Sequence, residues 1–173
     1  ALALVITASL VGAAAGGTQA LSARAPSGWR ALDADPEWAR FEADCGACHT
    51  LYHPSLLTAD AWREMMSGLD DHFGEDASLS AGATDAITEF LAGNANATWD
   101  TEAANLLRPR VGPPAPAVTE LPAWKSIHGD AIEELRRVAP EASPSACERC
   151  HVDAVEGVFA GDRIHDPTPE PPQ

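Results

Sequence analysis

Basic side chains are scarce in this sequence. Its 173 residues contain 11 Lys and Arg against 26 Asp and Glu, which gives a formal net charge of −15. A chain with this balance has little with which to neutralise phosphates, so a general nucleic-acid binder is excluded. The length suits one compact domain or two small lobes. The 14 prolines and 13 glycines indicate that much of the chain is loop.

Strict alternation of polar and apolar residues is missing over any useful length, which predicts little β-sheet. The periodicities that do occur favour an all-α, loop-rich fold. One helix is predicted from Asp35 and Pro36 through the first cysteine pair, and another from Ser143 and Pro144 through the second pair. A helix from Thr58 to Gly74 would place Trp62, Met66, Leu69 and Phe73 on one stripe, and a helix over 80–91 would place Ile87, Phe90 and Leu91 inward. Shorter helices are predicted over 100–107, 124–128 and 130–138. Residues 108–122 hold five prolines and predict an extended connector.

Charge is absent from residues 1–17, which form an apolar run rich in small residues. The small-x-small patterns that follow, at 18–20 and 23–25, are typical of the cleavage site of a secretory signal. The alternative is an uncleaved anchor, although the run is at the short limit for a bilayer span. Either reading predicts that the folded part lies outside the cytoplasm.

Cysteine occurs only four times, and all four residues belong to two copies of the pattern C-x-x-C-H. The copies are Cys45 to His49 and Cys147 to His151. This pattern is the signal for c-type haem attachment. Two thiols on one turn can form thioethers to the haem vinyl groups, and the adjacent His then supplies the proximal ligand of the iron. The sequence therefore predicts two covalently bound haem c groups, with His49 and His151 as proximal ligands.

Three other uses of these cysteines explain the pattern less well. Two disulfides are compatible with export, but pairing within C-x-x-C strains the backbone and leaves both following histidines unexplained. A four-thiolate zinc site would need pairs much closer in sequence than these. A redox C-x-x-C pair needs a thioredoxin-like alternation of strands and helices, which is absent.

Each iron needs a sixth ligand, and the remaining candidates are two adjacent methionines and four histidines. They are Met65, Met66, His53, His72, His128 and His165. Adjacent methionines on a helix are usually core residues, and His165 lies in a polar stretch before the proline-rich tail. We assign His72 to the iron of His49 and His128 to that of His151, with exchange between the irons left open. His53 and His165 stay as alternatives.

The expected organisation is two small helical lobes, each packed around one covalently attached haem. A signal peptide or anchor at 1–25 precedes an N-terminal lobe at 26–107, the connector at 108–122 and a C-terminal lobe at 123–165. A disordered tail at 166–173 follows. Because the core of each lobe would be thin, we expect the haems to be needed for folding.

Beyond the two C-x-x-C-H patterns, the residues around them resemble the bacterial dihaem cytochrome c family. The resemblance covers about residues 38–160. In the N-terminal half it rests on the first motif with Tyr52, Pro54, Leu56, Leu57, Trp62 and Met66, on the block from Asp71 to Leu79, and on 87–91. In the C-terminal half it rests on Trp124 with His128 and on the second motif with Ala154, Glu156, Gly157 and Phe159. It implies a mostly helical protein with two lobes, two bis-histidine haems and electron transfer to an oxygen-binding monohaem cytochrome. Two departures are His53, where the family pattern has Pro, and the extra His165.

The expected function is outer-sphere electron transfer in the periplasm rather than enzyme catalysis, because two bis-histidine irons leave no open position for a substrate. The strong negative charge predicts a redox partner with a basic docking surface. No nucleic acid is expected as a partner, and membrane contact is expected only through residues 1–17 if they are uncleaved. The alternatives are a haem enzyme or gas sensor with one five-coordinate haem, and the haem subunit of a membrane oxidoreductase.

Overall fold

The structure is a computed structural model that describes residues 32–108, 117–161 and 164. Within those residues the chain forms five α-helices joined by short 3-10 turns. The helices are α1 (Trp38–Cys45), α2 (Ala59–Ser67), α3 (Ala81–Gly93), α4 (Glu102–Leu107) and α5 (Pro122–Val138), and the 3-10 turns are Pro54–Leu56, Leu69–Asp71, Asn96–Thr98, Val118–Glu120, Cys147–Arg149 and Ala154–Glu156. In the described part of the chain, β-structure is limited to two isolated bridges, between His72 and Glu75 and between His151 and Ile164. The prediction of an all-α, loop-rich fold is confirmed.

Three of the helices begin at a hydroxyl that caps the first turn. The side chains of Thr58, Ser80 and Thr101 accept hydrogen bonds from backbone N–H groups three residues ahead, at the starts of α2, α3 and α4. Each bond satisfies a donor that the first helical turn cannot pair internally. α5 begins instead with Pro122, whose fixed φ suits the first helical position. The predicted starts of α2 and α3 are confirmed.

The hydrophobic core lies between α1, α2 and α3. Phe41 of α1 meets Phe90 of α3 with ring centroids 5.3 Å apart, and Trp62, Ile87 and Leu91 are almost fully buried beside them. Each such side chain stabilises the fold by about 1.5–3 kcal/mol through burial. The inward positions predicted for α3 are confirmed. The same cluster includes residues on both sides of the predicted connector: Leu107 before it, Val118 and Leu121 within it, and Trp124 after it.

The predicted helix around the first motif is wrong at both ends. α1 begins at Trp38, because the carboxylate of Asp35 accepts from the N–H of Glu37 and holds a turn before the helix. It ends at Cys45, so most of the motif lies in the turn that follows. The N–H of Gly46 makes the last helical bond, to the carbonyl of Glu42.

The second predicted helix is too long. α2 ends at Ser67 and is capped by Gly68 rather than by Gly74. Trp62 and Met66 are buried as predicted, but the stripe does not continue to Phe73, whose side chain is 63% exposed. The apolar spacing was misleading here because the chain leaves the helix at Ser67, nearly two turns before Phe73.

Two further predictions fail in the second half of the chain. Residues 124–128 and 130–138 belong to one helix, α5, since Gly129 does not interrupt it. The second motif lies in the 3-10 turn Cys147–Arg149 rather than on an α-helix starting at Ser143 and Pro144, whose residues form short-range turns.

The described end of the connector also differs from the prediction. Val118–Glu120 is a 3-10 turn rather than an extended segment, because Val118 and Leu121 are buried in the core. Residues 109–116, the predicted leader at 1–25 and the tail at 166–173 lie outside the described residues. Over 32–108 and 117–161, no helix has the length and apolar character that a membrane span requires.

Candidate functional site

The first C-x-x-C-H motif begins at the last residue of α1. Cys45 is half-buried, whereas Cys48 is exposed in the following turn. Gly46 lies so close to the chain that a Cβ built on it would be 2.5 Å from the carbonyl oxygen of Glu42. A residue with a side chain at this position would therefore push the motif away from α1.

The imidazole of His49 is oriented by the backbone of the next residue, Thr50. Its Nδ1 lies 2.8 Å from the carbonyl oxygen of Thr50. A hydrogen bond from Nδ1–H to this carbonyl fixes the tautomer and leaves Nε2 to bind a metal, the arrangement that histidine ligands commonly adopt. The ring of Tyr52 packs beside it, with centroids 5.1 Å apart.

His72 stands on a tight two-residue turn that follows the 3-10 turn Leu69–Asp71. The backbones of His72 and Glu75 exchange hydrogen bonds of 2.8 and 3.2 Å. The two residues between them, Phe73 and Gly74, have φ values of +55° and +95°. Positive φ at both central positions is the geometry of a type I′ turn. The carboxylate of Asp71 accepts from the N–H of Gly74 and supports this turn.

The structure brings His49 and His72 together. Their ring centroids are 6.2 Å apart and their planes differ by 19°. Burial, and then the proximity of His49, lower the pKa of His72. A lowered pKa keeps the imidazole neutral at pH 7, which is the form that binds metal.

The second motif also has two cysteines and a histidine, but its backbone conformation differs from that of the first. Cys147 begins the 3-10 turn Cys147–Arg149, and the N–H of His151 bonds to the carbonyl of Cys147 at 2.8 Å.

Burial raises the pKa of the Cys147 thiol to about 11, and it does the same at Cys45. Before a haem is attached, both thiols are therefore protonated at neutral pH. All four cysteines lie in the described residues, and none of them forms a disulfide.

His128 projects from the middle of α5. Its Nδ1 lies 3.0 Å from the carbonyl oxygen of Trp124, one turn earlier. Its ring also stacks on that of Trp124, with centroids 4.5 Å apart and planes within 13°. The hydrogen bond and the stacking together fix the ring plane and direct Nε2 away from the helix.

The structure also brings His128 and His151 together. Their ring centroids are 6.1 Å apart, and their planes differ by 60°. Burial, and then the proximity of His128, lower the pKa of His151. The ring of Phe159 packs on the same His at 5.9 Å.

Both separations suit two imidazoles on opposite sides of one metal ion. An imidazole nitrogen lies about 2.0–2.1 Å from a metal that it binds and about 1.1 Å from the centre of its own ring, so the two ring centroids are expected about 6.3 Å apart. The observed values of 6.2 and 6.1 Å agree with this span. Within the described ranges, no group of three or more His, Cys, Asp and Glu side chains converges in the way a metal site of those residues requires.

Apolar side chains flank both histidine pairs at the surface. Phe73 follows His72, Val152 follows His151, Ile164 forms a backbone bridge with His151, and Val155 lies in the 3-10 turn Ala154–Glu156 just after His151. Their exposed fractions are 63%, 38%, 55% and 63% in that order. Exposed apolar side chains grouped in this way mark ligand-binding or interaction sites. A haem at each pair offers an apolar face that such side chains can contact, so the residues present fit this group.

The other sixth-ligand candidates lie elsewhere. His53 is buried in the core, where its Nδ1 contacts the hydroxyl of Ser55 and its ring meets that of Trp99 edge-on at 4.5 Å. Met65 and Met66 pack in the core cluster from α2, and His165 lies outside the described residues. Sequence reasoning missed the carbonyls of Thr50 and Trp124 that hold the two histidines, since no side-chain pattern marks a backbone acceptor.

Comparison with known proteins also indicates a site for two haems. Residues 41–159 match the family model described as dihaem cytochrome c. The fold is similar to that of a diheme cytochrome c from Rhodobacter sphaeroides, at 34% identity and a TM-score of 0.60, covering 70% of this chain and 95% of the other. It is also similar to the diheme cytochrome type c from Shewanella baltica OS155, at 30% identity and a TM-score of 0.59, covering 75% and 92%. No curated protein matches the sequence.

The family model spans most of the chain, and it includes both motifs and the block around His72. The cysteines needed for two covalent attachments are all present. This chain therefore belongs to the dihaem cytochrome c family, carries two covalently bound haem c groups and transfers electrons through them.

Proposed function

We propose that this protein is a periplasmic electron relay in which His49 with His72 and His151 with His128 bind the two irons from opposite sides. The observation that carries the proposal is the separation of 6.2 and 6.1 Å between the ring centroids of the two pairs. The apolar run at 1–17, with small-residue cleavage patterns behind it, supports export to the periplasm.

Each bound haem supplies a metal that takes up and gives back one electron. The carbonyls of Thr50 and Trp124 orient the rings of His49 and His128. Burial lowers the pKa of His72 and of His151, which favours their neutral forms. With an imidazole on each side, no position is left for a substrate, so electrons pass without bond formation at the metal. Two nitrogen ligands favour the oxidised state relative to a Met and His pair, which predicts low midpoint potentials for a cytochrome c.

The partner that we propose is a redox protein with a basic docking surface, such as an oxygen-binding monohaem cytochrome. Four exposed carboxylates surround His72, and they form no ion pair with any described residue: Asp70, Asp71, Glu75 and Asp76. By contrast, Glu134 is paired with Arg137 on α5. The carboxylates around His72 would therefore attract a basic partner to the edge of the first haem.

A visible spectrum combined with a haem count per chain tests the ligation. We expect two haems, low-spin iron in both oxidation states, and a ferrous spectrum that carbon monoxide leaves unchanged. High-spin features, or a band that shifts rapidly with carbon monoxide, would instead indicate a five-coordinate enzyme or sensor. A need for detergent during purification would favour a subunit of a membrane oxidoreductase.

Charge-neutralised variants test the docking surface. We expect the Asp70→Asn, Asp71→Asn, Glu75→Gln, Asp76→Asn variant to react more slowly with a lysine-rich monohaem cytochrome at low salt and to lose most of the salt dependence of the rate. The matched control removes four exposed carboxylates elsewhere: Glu64→Gln, Asp85→Asn, Glu89→Gln and Glu120→Gln. If both variants slow the reaction equally, net charge rather than a docking surface steers the partner.

A further inference from the structure

Tyr52 is the single tyrosine of the chain and lies between the two haem-binding motifs. Its ring packs on that of His49, with centroids 5.1 Å apart and planes at 45°. Its hydroxyl donates a 2.9 Å hydrogen bond to the backbone carbonyl of Ser145, which is 93 residues further along the chain. One side chain therefore contacts the proximal histidine of the first motif and the segment that leads into the second.

The carbonyl of Ser145, which receives this bond, is also in contact with the first cysteine of the second motif. The oxygen of Ser145 also accepts from the backbone N–H of Cys147 at 2.9 Å and lies 3.4 Å from the Cys147 sulfur. Cys147 is one of the two cysteines that attach the second haem. The chain thus has a continuous series of contacts from the His49 ring through Tyr52 and Ser145 to Cys147.

Tyr52 is a hydrogen-bond donor in this arrangement. A phenol is protonated across the physiological range, and its O–H is directed at the carbonyl oxygen of Ser145. A half-buried hydroxyl that bonds across the chain also limits movement between the segments it joins.

We propose that Tyr52 is a positioning residue for electron transfer between the two haems. It holds the second motif at a fixed place relative to the first, and its ring contact with His49 and its hydrogen bond to Ser145 supply a route of contacts between them. One electron leaves the reduced iron and arrives at the oxidised iron. Tyr52 keeps its own electrons and its proton throughout. The inference rests on the proposed relay function.

The variant Tyr52→Phe tests this proposal because it keeps the ring on His49 and removes only the hydroxyl. We expect the rate of electron exchange between the haems, measured after photoreduction of one of them, to fall severalfold. Both midpoint potentials should stay unchanged because no iron ligand is altered. A slower exchange at unchanged potentials then indicates weaker electronic coupling between the two haems rather than a smaller difference between their potentials.

Two measurements on the intact haem protein do not depend on its activity. Protection of the Cys147 amide against hydrogen exchange should fall about fivefold to tenfold in Tyr52→Phe, as expected for one lost buried hydrogen bond. The Soret circular dichroism, which reports the relative orientation of two neighbouring haems, should change as well. Incorporation of 3-fluorotyrosine, which substitutes at this position alone and keeps the hydroxyl, should restore values close to wild type.

Thr88→Val is the matched control. Its hydroxyl is half-buried and donates to the carbonyl of Thr84 at 2.6 Å within α3, so a similar bond is lost away from both motifs. The control should leave the exchange rate and the Soret signal unchanged. Tyr52→Phe with a wild-type exchange rate, or with a slower rate explained by shifted potentials, overturns the proposal. A wild-type protein that binds carbon monoxide would instead overturn the relay function, and the amide and Soret measurements would still decide the role of Tyr52.

Discussion

The imidazole of His49 lies nearly parallel to that of His72, with an angle of 19° between the ring planes. The corresponding angle between His128 and His151 is 60°. The difference arises from the supports of the two distal rings. His72 stands on the hydrogen-bonded turn that it forms with Glu75, whereas the plane of His128 follows that of Trp124, on which it stacks within 13°. The two histidine pairs therefore have similar separations but different relative orientations.

We predict two distinct low-spin signals in the electron paramagnetic resonance spectrum of the oxidised protein. The relative orientation of two axial imidazoles sets the splitting of the iron d orbitals. The nearly parallel pair should give the more rhombic signal, and the pair at 60° should give the more axial one with the larger maximum g value. A spectrum in which both irons give one superimposable signal would show that the two pairs do not keep these orientations once haem is bound.

The assignment of the distal ligands predicts the outcome of replacing each by methionine. His72→Met and His128→Met should each raise one midpoint potential by about 0.1–0.2 V and leave the other nearly unchanged, because a thioether favours the reduced iron. Potentiometric titration of the two variants provides the measurement. If both substitutions leave the potentials as they are, another residue such as His53 or His165 holds the sixth position.

The sequence predicted the chemistry of this protein better than the backbone that presents it. The C-x-x-C-H spacing and the apolar surroundings of His72 and His128 were sufficient to select the four histidines that the structure brings together. The helical positions assumed for the motifs were wrong. Gly46 ends α1 after Cys45, and the second motif lies in a 3-10 turn, because attachment requires two thiols and a histidine in sequence but no particular helix.

The turn around His72 could not be predicted from periodicity. The spacing of Trp62, Met66, Leu69 and Phe73 is helical, and nothing in that pattern shows that Gly68 ends the helix first. Positive φ at Phe73 is also unexpected for a residue with a bulky side chain. The ring of Phe73 contacts that of His72 at a centroid distance of 4.8 Å, so the strained residue lies directly beside a candidate ligand.

Removal of one attachment site at a time tests whether the two haems are held independently. Cys45→Ala with Cys48→Ala should give a protein with one covalent haem, and the signal assigned to the nearly parallel pair should be lost. Cys147→Ala with Cys150→Ala should remove the other signal. Mass spectrometry and haem staining of the denatured chain provide the count. Retention of two covalent haems in either variant would contradict the assignment of the motifs.

Replacement of Gly74 by alanine tests the importance of the His72 turn. Gly74 has a φ of +95° and no atom within 4 Å of a Cβ built on it, so an alanine there meets backbone strain without a steric clash. We expect Gly74→Ala to lower the free energy of unfolding by about 1–2 kcal/mol. The first haem should also lose part of its low-spin character, because the turn that carries His72 shifts.

The control is Gly82→Ala in α3. A Cβ at this position also meets nothing within 4 Å, but Gly82 has ordinary helical dihedral angles. Alanine should therefore stabilise the protein by up to about 1 kcal/mol, since it removes the entropic cost of glycine in a helix. Guanidinium titrations of the two variants, followed by tryptophan fluorescence and by the Soret band, measure stability and ligation together. If Gly74→Ala is as stable as wild type and keeps a low-spin spectrum, His72 does not depend on this turn for its position.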